Sequence, residues 1–128
     1  DSTLKGQTVF LAERCAELMN DNIITDRTVI DVMAFTQNAM SIPYQDKDKF
    51  IDYAKEFIRE YDYIFYISPN GLPIEDNGVR ETDEHYRDVI DFTIISYIKK
   101  YAYMMKNIET IRGTTKERVE QILNVINS

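Results

Sequence analysis

The fold of this chain is indicated most directly by YIFYI, residues 63–67. The run is too short for a helix, and it consists of aromatic and β-branched residues, which favour strands. Because it does not alternate with polar residues, both faces of the strand are expected to be covered. A continuous apolar run of this kind is typical of a parallel strand between layers of helices. The stretch therefore predicts an α/β protein.

Helical and strand patterns alternate on both sides of this run. Apolar residues recur at helical spacing over four ranges: 7–20, 28–40, 47–61 and 82–101. Further short strands are predicted at 23–25 and within 104–111. Pro and Gly are sparse and no repeat is present, so the chain is expected to form a single domain over residues 1–128. The alternation predicts a three-layer α/β architecture, a parallel sheet flanked by helices.

A last helix is predicted after residue 113. Thr114 and Glu117 have the spacing of a capping box, in which each side chain binds the backbone N–H of the other residue. The predicted buried face of this helix consists of Val119, Ile122, Leu123 and Ile126.

The composition limits the classes of function. The net charge is −7, and the basic residues are scattered, so duplex nucleic acid is not an expected partner. No apolar run approaches the roughly 20 residues that span a bilayer, and no signal-peptide pattern is present, so no membrane partner is expected. The single cysteine, Cys15, lies in an apolar helical pattern and is interpreted as a buried structural thiol. A cytoplasmic location is expected, since no intrachain disulfide can form.

The pair Asp26-Arg27 follows the short apolar run at 23–25 and precedes a helical pattern. Ligands of open α/β sheets bind outside the carboxyl ends of the strands, so this acid and this base are candidate site residues. The same pair could also be a helix cap with a solvated neighbour. Thr28 is expected to cap the helix. Asp31 is expected either to face the site or to stabilise the positive helix N-terminus.

Other polar residues have simpler interpretations. The loop at 68–78 is rich in turn-forming residues and is expected to be functional. His85 lacks a second histidine or a cysteine at ligand spacing, so a zinc site is not expected and His85 is assigned to the surface. The tyrosines are expected to pack in the core or half-buried rather than to stack on bases.

The order of these motifs resembles that of the P-loop nucleoside and nucleotide kinases. The nearest resemblance is to the AAA-type ATPase/kinase group that includes the nicotinamide-riboside kinase domain of bacterial NAD-biosynthesis proteins. It extends from Gln7 to the end of the chain and rests on the following succession: Asp26-Arg27-Thr28 with Asp31, the strand 63–67, Gly78-Val79-Arg80, Thr82-Asp83-Glu84, Tyr86-Arg87, and Gly113-Thr114-Thr115 with Glu117-Arg118. The resemblance implies ATP and Mg²⁺ as cofactors, and transfer of the γ-phosphate to a small nucleoside or nucleotide.

The resemblance also implies roles at the two ends of the chain. Asp26 would contact the acceptor hydroxyl or a Mg²⁺-bound water, and Arg27 would hold the acceptor or its phosphate. Gly113-Thr114-Thr115 would lie where related kinases bind the adenine base, although a capping box explains the same three residues without a ligand.

Two arginines are similar to the lid arginines that close over the phosphates in such kinases. These are Arg80 and Arg87, which would share one helix face if the helix included both. The alternative is that Arg80 pairs with Glu84 and Arg87 with Asp91 as surface ion pairs at four-residue spacing.

The Gly-rich phosphate-binding loop with which such kinases begin is missing from the sequence. We therefore expect the chain to be the larger C-terminal part of a domain with roughly 30 more upstream residues, and to be inactive alone. The sheet edge left by the missing strand is expected to promote self-association or binding to a partner chain. The alternatives are a degenerate relative without the chemistry, an ATPase or nucleotide-binding regulator of the same fold, and a non-catalytic protein-interaction module.

Overall fold

The computed structural model describes residues 2–68 and 84–128. Within these ranges the elements in chain order are α1 (Leu4–Glu17), α2 (Val29–Gln37), α3 (Tyr44–Ala54), a 3₁₀ helix (Lys55–Glu60), β1 (Ile64–Ile67), α4 (Glu84–Lys100), a second 3₁₀ helix (Ala102–Met104), β2 (Ile108–Ile111) and α5 (Thr115–Ile126). The coarse α/β class is confirmed, since helices accompany a parallel sheet. The sheet of the described residues has two strands.

The predicted strand at 63–67 is confirmed as β1, and its parallel pairing is confirmed as well. Ile64 lies opposite Ile108, and Ile67 lies opposite Ile111. Of the broader range 104–111, only the last four residues form β2. The expectation that β1 is covered on both faces is wrong for the described residues, because Ile64 is buried and Ile67 is exposed. The apolar run thus identified the strand correctly but overestimated its burial.

The predicted strand at 23–25 is wrong. The segment is irregular, and the side chain of Ile24 is 89% exposed. Asn22 and Arg27, on either side of the segment, both have positive φ angles, of 56° and 82°. A strand forms only where a neighbouring strand satisfies its backbone hydrogen bonds. Among the described residues β1 and β2 pair only with each other, so this segment has no such neighbour.

The N-terminus of α5 is as the sequence predicts, whereas the burial of the apolar face of α5 is not. The backbone N–H of Thr114 donates to Glu117 Oε1 at 2.9 Å, and that of Glu117 donates to Thr114 Oγ1 at 3.2 Å, which confirms the capping box. The predicted buried face is wrong, because Leu123 is 50% exposed and no residue of α5 is buried. Amphipathic periodicity identifies an apolar face but not the element that covers it.

The core is centred on α2, which contacts α1, α3 and α4. Most of the side chains of α2 are buried: Val29, Ile30, Val32, Met33, Ala34 and Thr36. Two polar bridges attach the neighbouring helices to it. Gln7 of α1 donates from Nε2 to the Thr36 hydroxyl at 3.1 Å, and the Tyr97 hydroxyl of α4 donates to Gln37 Oε1 at 3.0 Å. The core is therefore a layer of helices built around α2.

Several simpler predictions agree with this arrangement only in part. His85 is exposed on α4, as predicted. The side chain of Cys15 is partly rather than fully buried, and burial raises the pKa of its thiol. Tyr97 and Tyr101 are buried, as predicted, and their ring centroids are 5.8 Å apart. The same prediction is wrong for Tyr53 and Tyr103, which are largely exposed. Among the described helices, none has the length and apolar character needed to cross a membrane.

Replacing Tyr61 with phenylalanine is expected to lower the free energy of unfolding by about 1–3 kcal/mol. The hydroxyl of Tyr61 accepts a hydrogen bond of 3.1 Å from the backbone N–H of Val29. That N–H belongs to the first turn of α2, where no intrahelical acceptor exists, and Val29 is completely buried. Urea unfolding would measure the change. Tyr53→Phe, at an exposed position of α3, is the matched control, and equal losses in the two variants would contradict this role of Tyr61.

Candidate functional site

A cavity of about 410 Å³ lies between α1, the N-terminus of α2 and the residues that precede α2. It contains two of the residues that the sequence marked for a site, Arg27 and Asp31. The described lining residues are Ser2, Gln7, Phe10, Glu13, Arg14, Arg27, Asp31, Val32 and Phe35. We refer to this space as the α1–α2 cavity.

The N-terminus of α2 is stabilised by a local capping box. The backbone N–H of Ile30 donates to Thr28 Oγ1 at 3.0 Å, and that of Thr28 donates to Asp31 Oδ2 at 2.8 Å. The prediction that Thr28 caps the helix is confirmed. Of the two roles foreseen for Asp31, stabilisation of the helix N-terminus is confirmed, and its side chain also lines the cavity. The capping interactions thus fix one wall of the cavity.

Arg27 has a backbone conformation that is rare for a non-glycine residue, and its guanidinium has no ion-pair partner among the described residues. Its φ of 82° lies in the left-handed region, which costs a non-glycine residue on the order of 1–3 kcal/mol. The Thr25 hydroxyl donates to the carbonyl oxygen of Arg27 at 3.0 Å and so supports this turn. The guanidinium carbon lies 5.7 Å from the ring centroid of Phe35, within the range of a cation–π contact. No ion pair of the described residues involves Arg27, so its guanidinium can receive an anion.

Arg14, the second arginine of the cavity, differs from Arg27 because its guanidinium is paired with carboxylates. Arg14 Nε lies 2.6 Å from Glu17 Oε1, and Arg14 Nη2 lies 3.7 Å from Glu13 Oε2. Both carboxylates come from the same helix, so the charge of Arg14 is neutralised within α1. Any attraction of the cavity for an anion therefore depends mainly on Arg27.

Burial raises the pKa of Asp31 above its ordinary value of 3.8. The hydrogen bond from Thr28 and the positive charge of Arg27 both act in the opposite direction, and burial has the larger effect. Burial therefore makes the charged form of this carboxylate costly for the folded state.

This cost predicts a pH dependence that Asp31→Asn should remove. A folded-state pKa above the unfolded value means that the folded state binds the proton more tightly. The contribution of Asp31 to stability is then fully present below pH 3.8 and is lost as the pH rises through the raised pKa. Asparagine keeps an oxygen for the Thr28 N–H but does not titrate. In urea unfolding at increasing pH, the variant is therefore expected to gain stability relative to the wild type, and a falling or constant difference would contradict the shift.

The first turn of α4 lies near this cavity. The ring centroids of Tyr86 and Phe35 are 6.3 Å apart. The guanidinium of Arg27 lies over the same Phe35 ring. Arg87 is therefore on a helix turn that adjoins the cavity, and its own side chain is exposed. The predicted pairing of Arg87 with Asp91 is not among the described ion pairs, and Asp91 accepts a hydrogen bond from the Tyr66 hydroxyl.

The remaining predicted residues are not part of the cavity lining as described. Asp26 is exposed and directly precedes Arg27. Arg80 lies outside the described residues, and so does its predicted pairing with Glu84. Gly113 has a φ of 106°, and a Cβ there would lie 2.8 Å from Glu117 Oε1, so this position suits glycine as part of the capping turn. The capping interpretation of Gly113, Thr114 and Thr115 is confirmed, and base binding by these residues stays a prediction.

The Mg²⁺ that the resemblance implies would need oxygen ligands from the protein, from a nucleotide or from water. The described residues contain no group of three or more His, Cys, Asp or Glu side chains that could hold a metal ion. Mg²⁺ in phosphoryl-transfer sites is bound by one or two carboxylates together with substrate phosphates and water. Asp26 offers one exposed carboxylate of this kind, whereas an oxygen of Asp31 is engaged by the helix cap.

Sequence reasoning missed Gln7 and Arg14 as cavity residues. Both lie on the face of α1 that also carries Leu11 and Leu18, at spacings of four, three and four residues. Gln7 is among the few buried polar residues described. A polar residue in register with an apolar helix face is the signal that would have identified them.

No protein-family model, curated protein sequence or solved structure matches this chain.

Proposed function

We propose that the natural protein containing this chain transfers the γ-phosphate of ATP to a small nucleoside or nucleotide. The observation that carries the proposal is the position of Arg27 in the lining of the α1–α2 cavity, with the exposed Asp26 directly before it in the sequence. A volume of about 410 Å³ lies within the range of small-molecule sites.

The reaction requires a proton acceptor beside the attacking hydroxyl. As that hydroxyl oxygen bonds to the γ-phosphorus, its proton passes to the Asp26 carboxylate. The bond from the γ-phosphorus to the bridging oxygen breaks, and ADP leaves with the electron pair. Mg²⁺ bound to ATP would neutralise the charge on the β- and γ-phosphates.

Arg27 would hold the acceptor through its phosphate or hydroxyl oxygens. A guanidinium presents a planar fork of donors that matches phosphate oxygens. The positive φ of Arg27 directs the chain through a tight turn immediately before α2, and strained residues of this kind cluster at ligand sites. Phe35 supports the guanidinium from one side and leaves its N–H groups available to a ligand.

The two strands provide further support. β1 and β2 are parallel, so Ser68 and Arg112, which directly follow them, lie at the same end of the sheet, where the strands have their carboxyl ends. In open α/β sheets, ligands bind at this end. Tyr66, near the end of β1, is already hydrogen bonded to Asp91 of α4. A nucleotide donor at this end of the sheet and an acceptor near Arg27 would fit the proposed reaction.

The test is an assay of ADP formation by the natural protein with Mg²⁺-ATP and a panel of nucleosides and nucleoside monophosphates. Arg27→Gln is expected to raise the acceptor KM about tenfold, the effect of losing one charge-assisted contact. Arg59→Gln, at an exposed position paired with Glu56, is the matched control. ADP formation that needs no acceptor would favour an ATPase or nucleotide-binding regulator, and the absence of both nucleotide binding and turnover would refute the proposal.

A second candidate function, a non-catalytic interaction module, is favoured by the exposed apolar face of α5. Within residues 84–128, Val119, Leu123 and Ile126 are each at least 41% exposed. Self-association or a partner chain would cover this face. Sedimentation of the wild type and of Leu123→Gln would test it, since association through α5 should weaken in the variant, and a wild-type monomer would count against it.

A further inference from the structure

A second concave surface lies between the end of α2, α3 and the end of α4. Its volume is about 710 Å³, and its described lining shares no residue with the α1–α2 cavity. Four tyrosines and three lysines line it, together with two aspartates. We refer to it as the tyrosine–lysine groove. Neither the proposed phosphoryl transfer nor the exposed face of α5 accounts for it.

The floor of the groove is an ordered aromatic surface. Tyr97 and Tyr101 are both buried, and their rings are inclined by 27° with centroids 5.8 Å apart. The hydroxyl of Tyr97 is fixed by its hydrogen bond of 3.0 Å to Gln37. Tyr44 and Tyr103 lie at the rim and are largely exposed. Tyr97 and Tyr101 already cover each other, so the aromatic faces on which a planar ring could stack are those of the exposed Tyr44 and Tyr103.

Positive charge is concentrated on the same surface. The ammonium groups of Lys55 and Lys100 lie 5.9 and 5.4 Å from the ring centroid of Tyr101. Lys55 is paired with Asp52 at 2.7 Å, whereas no described ion pair involves Lys49 or Lys100. In a chain of net charge −7, this local excess of lysine is notable. An anion in the groove would therefore be attracted mainly by Lys49 and Lys100, because Lys55 is already neutralised by Asp52.

We propose that the tyrosine–lysine groove binds a mononucleotide. The base stacks on the exposed ring of Tyr44 or Tyr103, and the phosphate lies against Lys100 with Lys49. Stacking on tyrosine tolerates any base, because every base has a π-face. Lysine acts as a point charge toward phosphate and so needs no single orientation. The volume is within the range of small-molecule sites of roughly 300–1,000 Å³. This site is separate from the α1–α2 cavity and does not depend on the proposed function.

The first test is a titration of the ¹⁵N-labelled chain with AMP, adenosine and inorganic phosphate, followed by amide chemical shifts. AMP is expected to produce saturable shifts at Tyr44, Lys100 and Tyr103, and to bind more tightly than adenosine or phosphate alone. Equal affinity for AMP and adenosine would overturn the role of the lysines. The absence of saturable shifts in the groove at AMP concentrations above about 1 mM would overturn the site.

Matched variants identify which side chains bind. Lys100→Gln is expected to weaken AMP binding about tenfold, and Lys100→Arg, which keeps the charge, should retain most of the affinity. Lys106→Gln removes an exposed lysine outside the groove and should have no effect. Arg27→Gln distinguishes the two sites, because it changes the α1–α2 cavity and should leave AMP binding in the groove unchanged. Loss of AMP binding in Arg27→Gln but not in Lys100→Gln would assign the nucleotide to the α1–α2 cavity and refute the proposal.

Discussion

Met33→Ala is expected to lower the free energy of unfolding by about 2–5 kcal/mol. Met33 is 0% exposed and lies at the centre of α2, the helix around which the other helices of the core pack. Truncation would remove buried apolar area and leave a cavity that the surrounding helices cannot close without moving. Denaturant unfolding of the wild type and the variant would measure the loss.

Met40 provides the control for this prediction. It has the same side chain, lies seven residues further along, and is 92% exposed. Met40→Ala should change the free energy of unfolding by no more than about 0.5 kcal/mol. Comparable effects of the two substitutions would mean that the packing around α2 is not the main source of stability.

Asp26→Asn is expected to lower kcat for phosphoryl transfer by about 10²–10⁴-fold, the range for loss of a general base. Asparagine has nearly the same shape as aspartate but cannot accept the proton of the attacking hydroxyl. Because Asp26 is exposed, the substitution should leave the stability of the fold unchanged. Steady-state kinetics with the natural protein, Mg²⁺-ATP and the best acceptor from the panel would measure the change.

Asp21→Asn is the matched control, since Asp21 is also exposed and lies five residues earlier. A rise in KM with unchanged kcat for Asp26→Asn would mean that Asp26 only binds the acceptor. Unchanged kinetics would remove Asp26 from the site, whereas acceptor binding by Arg27 would still be tested separately by Arg27→Gln.

The features predicted correctly from the sequence have partners close by in the chain. The cap of α2 by Thr28 and the capping box of Thr114 and Glu117 are examples, since the partners of Thr28 and Thr114 lie two or three residues away. β1 was recognisable because aromatic and β-branched residues have a strong strand preference. Its parallel partner was foreseen only as a broader range, because the 3₁₀ turn at Ala102–Met104 shortens the strand.

The candidate site was predicted only in part, because most of its walls come from residues that are distant in the sequence. The adjacent acid and base before α2 drew attention to Asp26 and Arg27, of which Arg27 lines the cavity, and Asp31 was foreseen either at the site or at the helix N-terminus. The other walls come from α1 and from Phe35, whose sequence positions contain no local sign of a ligand. Nothing in the residues near Arg27 indicates that its guanidinium would lie over the ring of Phe35.

The sequence by itself determined the starts of α2 and α5, the principal strand and the acid–base pair before α2, because these depend on side chains within one turn or on intrinsic preference. Only the tertiary structure decided which apolar faces are covered, since Ile24 and Leu123 are exposed despite favourable patterns. It also decided the long-range hydrogen bonds. The bond from Val29 to Tyr61 joins residues 32 positions apart, and such a pairing depends on how whole helices pack rather than on any local sequence.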